Sequence, residues 1–239
     1  MGPLTDLARW LGEASHWRGP GGVPNRLLEH ASLSGRALAV AMVLALPVGL
    51  VLGHTGRGGA FAVNVSNVGR AIPSFALLVL TVQVFGIGDA PPLVALVALG
   101  VPPIVTNTYV GMRGVDPDVR QAAVGMGMTG RQVLARVETP LALPLVMAGI
   151  RTAAVHIVAT ATLAALVASG GLGRYIVDGF AQHDDAQLMA GGSLVAVFAV
   201  LTEVTLGWLE ARATPGRRAR PPLLSRASHH PWPGGAVPG

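Results

Sequence analysis

"ALAVAMVLALPVGLVLG", residues 37–53, carries no charged side chain and does not alternate between apolar and polar positions. A strand of a transmembrane barrel runs about 10 residues with a strict apolar/polar alternation. An unbroken apolar run instead fits a helix in lipid, where every backbone N–H and C=O must be satisfied within the segment. The same texture returns in "GGSLVAVFAVLTEVTLGWL", residues 191–209. Windows free of Asp, Glu, Lys and Arg occupy 37–56, 71–88, 90–112, 152–173 and 186–202. A hydrocarbon core about 30 Å thick takes roughly 20 helical residues. The expected architecture is all-α and integral to a membrane, with about five transmembrane helices over 32–53, 68–88, 90–111, 142–168 and 187–209.

Composition agrees. The chain is 51% apolar and 12% charged, whereas soluble domains are about 25% charged. It has no cysteine, which excludes disulfides and thiol chemistry. The first thirty residues include Asp6, Arg9, Glu13, Arg18, Arg26 and Glu29 without an apolar core, unlike a cleavable signal peptide. Three parts are expected. Residues 1–31 form an extracytoplasmic segment in which Leu4, Leu7, Ala8 and Leu11 suit an interfacial helix, with a poorly ordered extension as the alternative. Residues 32–210 form the transmembrane domain, and 211–239 a basic, Pro/Gly-rich disordered tail whose His229 and His230 are incidental.

The positive-inside bias orients the five spans. Arg57, Arg70, Arg113, Arg120, Arg131, Arg136 and the tail arginines fall on one side, against Arg9, Arg18, Arg26, Arg36 and Arg174 on the other. The richer side is cytoplasmic, which leaves the N-terminus outside and the C-terminus inside. No GxxxxGK[ST] loop occurs, so the chain is not expected to bind ATP itself. No nucleophile elbow or metal-ligand spacing occurs either, so neither catalytic nor metal-binding residues are expected. The basic tail lacks interleaved aromatics, and no nucleic-acid partner is expected.

The cytoplasmic stretch "GMRGVDPDVRQAAVGMGMTGRQVLARVETP", residues 111–140, is the polar exception. Asp116 before Pro117 reads as an N-cap followed by proline at the first helical position. Val119, Ala122, Ala123 and Met126 recur at helical spacing, and "GMG" at 125–127 interrupts them. Thr129 and Gln132 have the spacing of a capping box for a second short helix, which Pro140 ends. Two short amphipathic helices with a glycine bend suit docking into a partner's groove, or resting on the bilayer surface. In the spans, Arg151 snorkels, Glu203 snorkels or pairs with an arginine, and His156, near mid-span, packs or contacts substrate.

These residues resemble the cytoplasmic signature of binding-protein-dependent ABC importer permeases: E-A-A, three residues, Gly, nine residues, I-x-L-P. Gln121-Ala122-Ala123, Gly127 and Val137-x-Thr139-Pro140 keep that spacing, with Gln121 in place of the glutamate and Thr139 in place of the leucine. "RAIPSFALLVL" (70–80), "RGVDPDVRQAAVGMGMT" (113–129), "PLALPLVMAGIRTA" (140–153) and "ATATLAALVASGGLG" (159–173) look like the osmoprotectant branch, the permeases for glycine betaine, choline, carnitine or proline.

The resemblance implies a type I importer permease fold in a bacterial cell membrane. It makes Gln121, Ala122, Ala123, Met126, Gly127, Met128, Thr129, Arg131 and Pro140 the segment coupled to a cytoplasmic ATPase. It places Gly170, Gly171 and Gly173 near the outer mouth of a pathway, where the local alternative is a plain helix-terminating turn, with Ser74 and His156 as further pathway candidates. The implied partners are two ABC ATPase subunits that hold ATP and magnesium, an extracytoplasmic substrate-binding protein, a second permease and the lipid bilayer. The alternatives are the permease of a methionine or other amino-acid importer, and a structural membrane subunit with no ATPase partner.

Overall fold

The computed structural model describes residues 2–167 and 169–213. The order is α1 (Pro3–Gly12), a short turn at Ala14–Trp17, α2 (Val23–Thr55), α3 (Gly59–Ala71), α4 (Ser74–Phe85) and α5 (Ala90–Arg113). α6 (Pro117–Gly125), α7 (Gly130–Val133), α8 (Thr139–Thr160), α9 (Gly173–Gln182) and α10 (Asp185–Ala213) follow. No strand occurs among the described residues. The tail, with His229 and His230, lies outside them.

Four helical runs are long and apolar enough to cross a membrane: Val23–Thr55, Ala90–Arg113, Gly130–Val167 and Asp185–Ala213. The expected second span, 68–88, is instead two helices, α3 and α4. Pro73 explains the break, since it has no N–H to donate and disfavours helical geometry at Ile72 before it. Pro73 itself takes an extended backbone, and its carbonyl accepts from the Leu77 N–H at 3.0 Å to start α4. α2 begins at Val23 rather than at residue 32, so it joins the expected N-terminal segment to the first span in one rod.

The core is made where α2, α5 and α8 meet. Ala37, Ala41, Ala45, Gly49 and Gly53 repeat every fourth residue on α2, and all five are buried. In lipid no hydrophobic drive brings helices together, so small residues that permit close backbone approach set the contact. A Cβ on Gly49 would lie 2.6 Å from the Thr108 Cβ, and one on Gly149 only 2.7 Å from the Asn107 Cβ. Ile104, Val105, Met112, Ala142, Val146, Ile150 and Ala153 complete this cluster. The outward faces of α4 and α10 stay apolar: Leu80, Val84, Val200, Leu201 and Val204 are exposed, as side chains that meet acyl chains require.

The N-terminal helix is packed against the bundle. Trp10 is buried with Val23, Leu172, Tyr175, Ala190 and Val195, while Leu7 and Leu11 flank it. Its ring meets Tyr175 edge to face at 5.3 Å and stacks on His16 at 4.0 Å. The Tyr175 hydroxyl donates to the Gly21 carbonyl at 2.6 Å. Burial pushes the pKa of that hydroxyl up, so it remains a neutral donor.

Candidate functional site

The polar segment folds as an elbow. Asp116 Oδ1 accepts from the Asp118 N–H at 2.8 Å, capping α6, and Pro117 occupies the first turn. α6 ends in a Schellman turn, with Met128 N–H on the Ala123 carbonyl at 3.2 Å and Gly127 N–H on the Val124 carbonyl at 2.9 Å. Gly127 sits there at φ +84°, a left-handed conformation that favours glycine. Thr129 and Gln132 then form the capping box, with Thr129 N–H on Gln132 Oε1 at 2.7 Å.

The second helix does not end at Pro140. Gly130–Val167 is one helical run, passing through a π-helical stretch at Leu134–Glu138 and continuing as α8. A proline is tolerated near a helix start, where its missing N–H is unpartnered anyway, and Pro140 occupies that place in α8. α7 is therefore the first turn of a helical run long and apolar enough to cross a membrane, with no break between the elbow and α8.

Of the residues expected to couple, Gln121, Ala122, Met126, Gly127, Thr129, Arg131 and Pro140 are exposed, Met128 is half-buried and Ala123 is buried. Of the stripe Val119–Ala122–Ala123–Met126, Ala123 alone packs against the chain. Val119 is 43%, Val124 58% and Met126 77% exposed, so an apolar surface is left unpartnered at the tip.

Behind that tip lies a feature the sequence reading did not single out. Glu138 is completely buried. His54 Nδ1, at the end of α2, lies 2.5 Å from one of its carboxylate oxygens, and Arg120 Nε, on α6, lies 2.5 Å from the other. Removing one partner from a buried ion pair costs about 3–5 kcal/mol, because the other charge is left without compensation. The available signal was its place four residues after Leu134, on the apolar side of this helix.

Two of the pathway candidates come together and three do not. Ser74 and His156 both line a cleft of about 510 Å³ between the α3–α4 break, α5 and α8. Gly69, Leu99, Pro102, Thr106, Asn107 and Thr152 also line it. Pro102 and Pro103 have no N–H, which deprives the carbonyls of Ala98 and Leu99 of their usual helical donors. The cleft offers hydroxyls, an amide and an imidazole, and among the described residues no carboxylate, Phe, Tyr or Trp lines it.

Gly170, Gly171 and Gly173 do not line that cleft. They form the turn into α9, seated on the start of α2. The Gly171 N–H donates to Glu29 Oε2 at 2.7 Å, and Arg26 Nη1 donates to the same oxygen at 2.8 Å. His30 Nε2 donates to the Val158 carbonyl at 2.9 Å. Gly171 has φ +95°, and a Cβ on Gly173 would run into the Thr162 backbone. Arg151 pairs with Glu203 and Glu210 of α10, each at 3.4 Å, so the intramembrane arginine ties α8 to α10. Among the described residues no group of three His, Asp or Glu is placed to hold a metal ion.

A membrane bundle with a cleft and an exposed elbow is the arrangement of a multi-pass transport component. The chain belongs to the family of binding-protein-dependent transport system inner membrane components, whose model matches residues 45–215. It is 34% identical over 187 residues to the glycine betaine/carnitine/choline transport system permease protein OpuCB of Bacillus subtilis, covering 78% of this chain and 86% of that protein. It is 35% identical to the carnitine transport permease protein OpuCB of Listeria monocytogenes, with the same coverage of 78% and 86%.

Among solved structures, an inward-facing form of the MetNI methionine ABC transporter superposes with a TM-score of 0.68 at 23% identity, covering 80% of this chain and 96% of that one. An amino acid ABC transporter with histidines gives 0.62 at 16% identity, covering 80% and 92%. These two likenesses establish the fold.

Proposed function

We propose that this chain is the membrane-spanning subunit of an ATP-driven importer for osmoprotectants of the glycine betaine, choline, carnitine and proline class. The observation that carries the substrate class is the 34% identity over most of the chain to a permease named for betaine, carnitine and choline transport. The exposed elbow at 117–133 supports the partner: its unpartnered Val119, Val124 and Met126 suit a groove of a cytoplasmic ATPase subunit. Two such ATPases hold ATP and magnesium, and a separate binding protein delivers solute to the outer face. A second permease, identical or paralogous, completes the pathway.

In this reading the N-terminus is outside and the C-terminus cytoplasmic. The cleft at Ser74 and His156 is a transit surface that wets the solute without trapping it, since among the described residues no Phe, Tyr or Trp that could cage a quaternary ammonium lines it. The Gly170–Gly173 turn braces the outer mouth, and ATPase closure rocks α8 through the elbow to alternate access.

Labelled glycine betaine uptake at high salt, in cells with and without this chain, tests the reading. Uptake that depends on the chain and on ATP, and that unlabelled choline or carnitine suppresses, is the expected result. Suppression by methionine alone would shift the assignment to an amino-acid importer, and ATP-independent uptake would remove it.

A further inference from the structure

Glu138 has an unusual position for a carboxylate. It occupies the x of the I-x-L-P spacing, which specifies no residue type there, yet its side chain is completely enclosed. Charged side chains are rarely enclosed unless they are paired, and the pairs here come from elements far apart in sequence. His54 reaches it from the last turn of α2, and Arg120 from α6.

Each partner makes a second connection. Arg120 Nη2 donates to the Met112 carbonyl, near the end of α5, at 3.3 Å. The His54 ring lies beside the first residue of α7, where a Cβ on Gly130 would be 3.7 Å from Nε2. Glu138 itself ends the π-helical stretch that feeds α8. One buried carboxylate thus connects the ends of α2 and α5, both arms of the elbow and the base of α8.

We infer that Glu138, held by His54 and Arg120, is the positioning residue that makes the elbow and the three core helices move as one body. The inference rests on the proposed importer function. A tip docked on an ATPase transmits displacement only if its attachment to the membrane helices is stiff. Apolar contacts alone allow sliding, whereas a buried charge with two fixed partners has one arrangement of low energy. Loosening this joint lets the tip follow the ATPase while the membrane helices lag, so nucleotide is hydrolysed without transport.

The test uses the whole importer, this chain with its ATPase subunits and binding protein, reconstituted in proteoliposomes. The double variant Arg120→Gln/Glu138→Gln removes both charges together and leaves no buried carboxylate unpaired. His54→Ala removes the link to α2 alone. ATPase subunits retained on purification, ATP hydrolysis stimulated by the binding protein and glycine betaine uptake are measured for each. The expected result is retained assembly, hydrolysis close to wild type, and ATP consumed per solute raised about tenfold in the double variant, the scale of a typical coupling between sites.

A merely structural role would lower assembly and leave that ratio unchanged. A wild-type ratio in the assembled double variant overturns the inference, and if that variant does not assemble, a wild-type ratio in His54→Ala does so. Wild-type chain that retains no ATPase subunit would instead overturn the importer reading itself.

Discussion

Replacing Gly127 by aspartate is expected to leave the chain inserted and folded while abolishing solute uptake. Gly127 holds φ +84° at the bend, and no atom lies within 4 Å of the position a Cβ would take. The left-handed conformation costs a non-glycine residue about 1–2 kcal/mol, and aspartate tolerates it better than most. The cost falls on an exposed turn, away from the packed helices. At the contact with an ATPase groove the new carboxylate would be desolvated without a partner, which binding does not tolerate. Membrane-fraction yield and labelled uptake measured side by side check this, and unchanged uptake would remove the coupling assignment from this segment.

The second large effect separates packing from gating at the outer glycine turn. Gly173→Ala places a methyl against the Thr162 backbone, where the built Cβ lies 2.8 Å from both the carbonyl carbon and Cα. Backbone cannot rotate aside as a side chain can, so the turn into α9 must shift. Overpacking typically costs about 1–3 kcal/mol and sometimes more, and this contact belongs at the upper end. Lower yield of monodisperse protein and a lower melting temperature in detergent are expected. Gly192→Ala on α10 is the control, because nothing lies within 4 Å of its Cβ. Wild-type stability of Gly173→Ala combined with lost uptake would make this glycine a gate instead of a packing residue.

Much of the fold was legible because lipid imposes a simple rule on sequence. Charge-free runs located the regions of α2, α4, α5, α8 and α10, and the Asp116-Pro117 and Thr129–Gln132 pairs marked the two starts within the elbow. Boundaries failed where backbone chemistry competes with hydropathy. Counting apolar residues across 68–88 ignores that Pro73 divides them, and α2 extends to Val23 through polar residues that hydropathy assigns to a segment outside the membrane. Pro140 signals a stop by sequence, but at the start of α8 it costs little, so the elbow runs into the rod without a break.

The site divides along the same line. Local signals gave the exposed tip, because caps and the glycine bend depend on near neighbours. His54, Arg120 and Glu138 could not be grouped from sequence, since 84 residues separate the histidine from the carboxylate and only packing brings them together. Glu29 under the Gly170–Gly173 turn is a similar case, reached across 142 residues.

The central claim is that the tip around Met126 is the place where an ATPase subunit docks. The chain has no cysteine, so Met126→Cys introduces a single thiol at a side chain that is 77% exposed. In the assembled importer, a short thiol-directed photo-crosslinker at position 126 is predicted to join this chain to the ATPase subunit in high yield. An importer that retains its ATPase and transports solute, yet gives no adduct from position 126, would contradict the account.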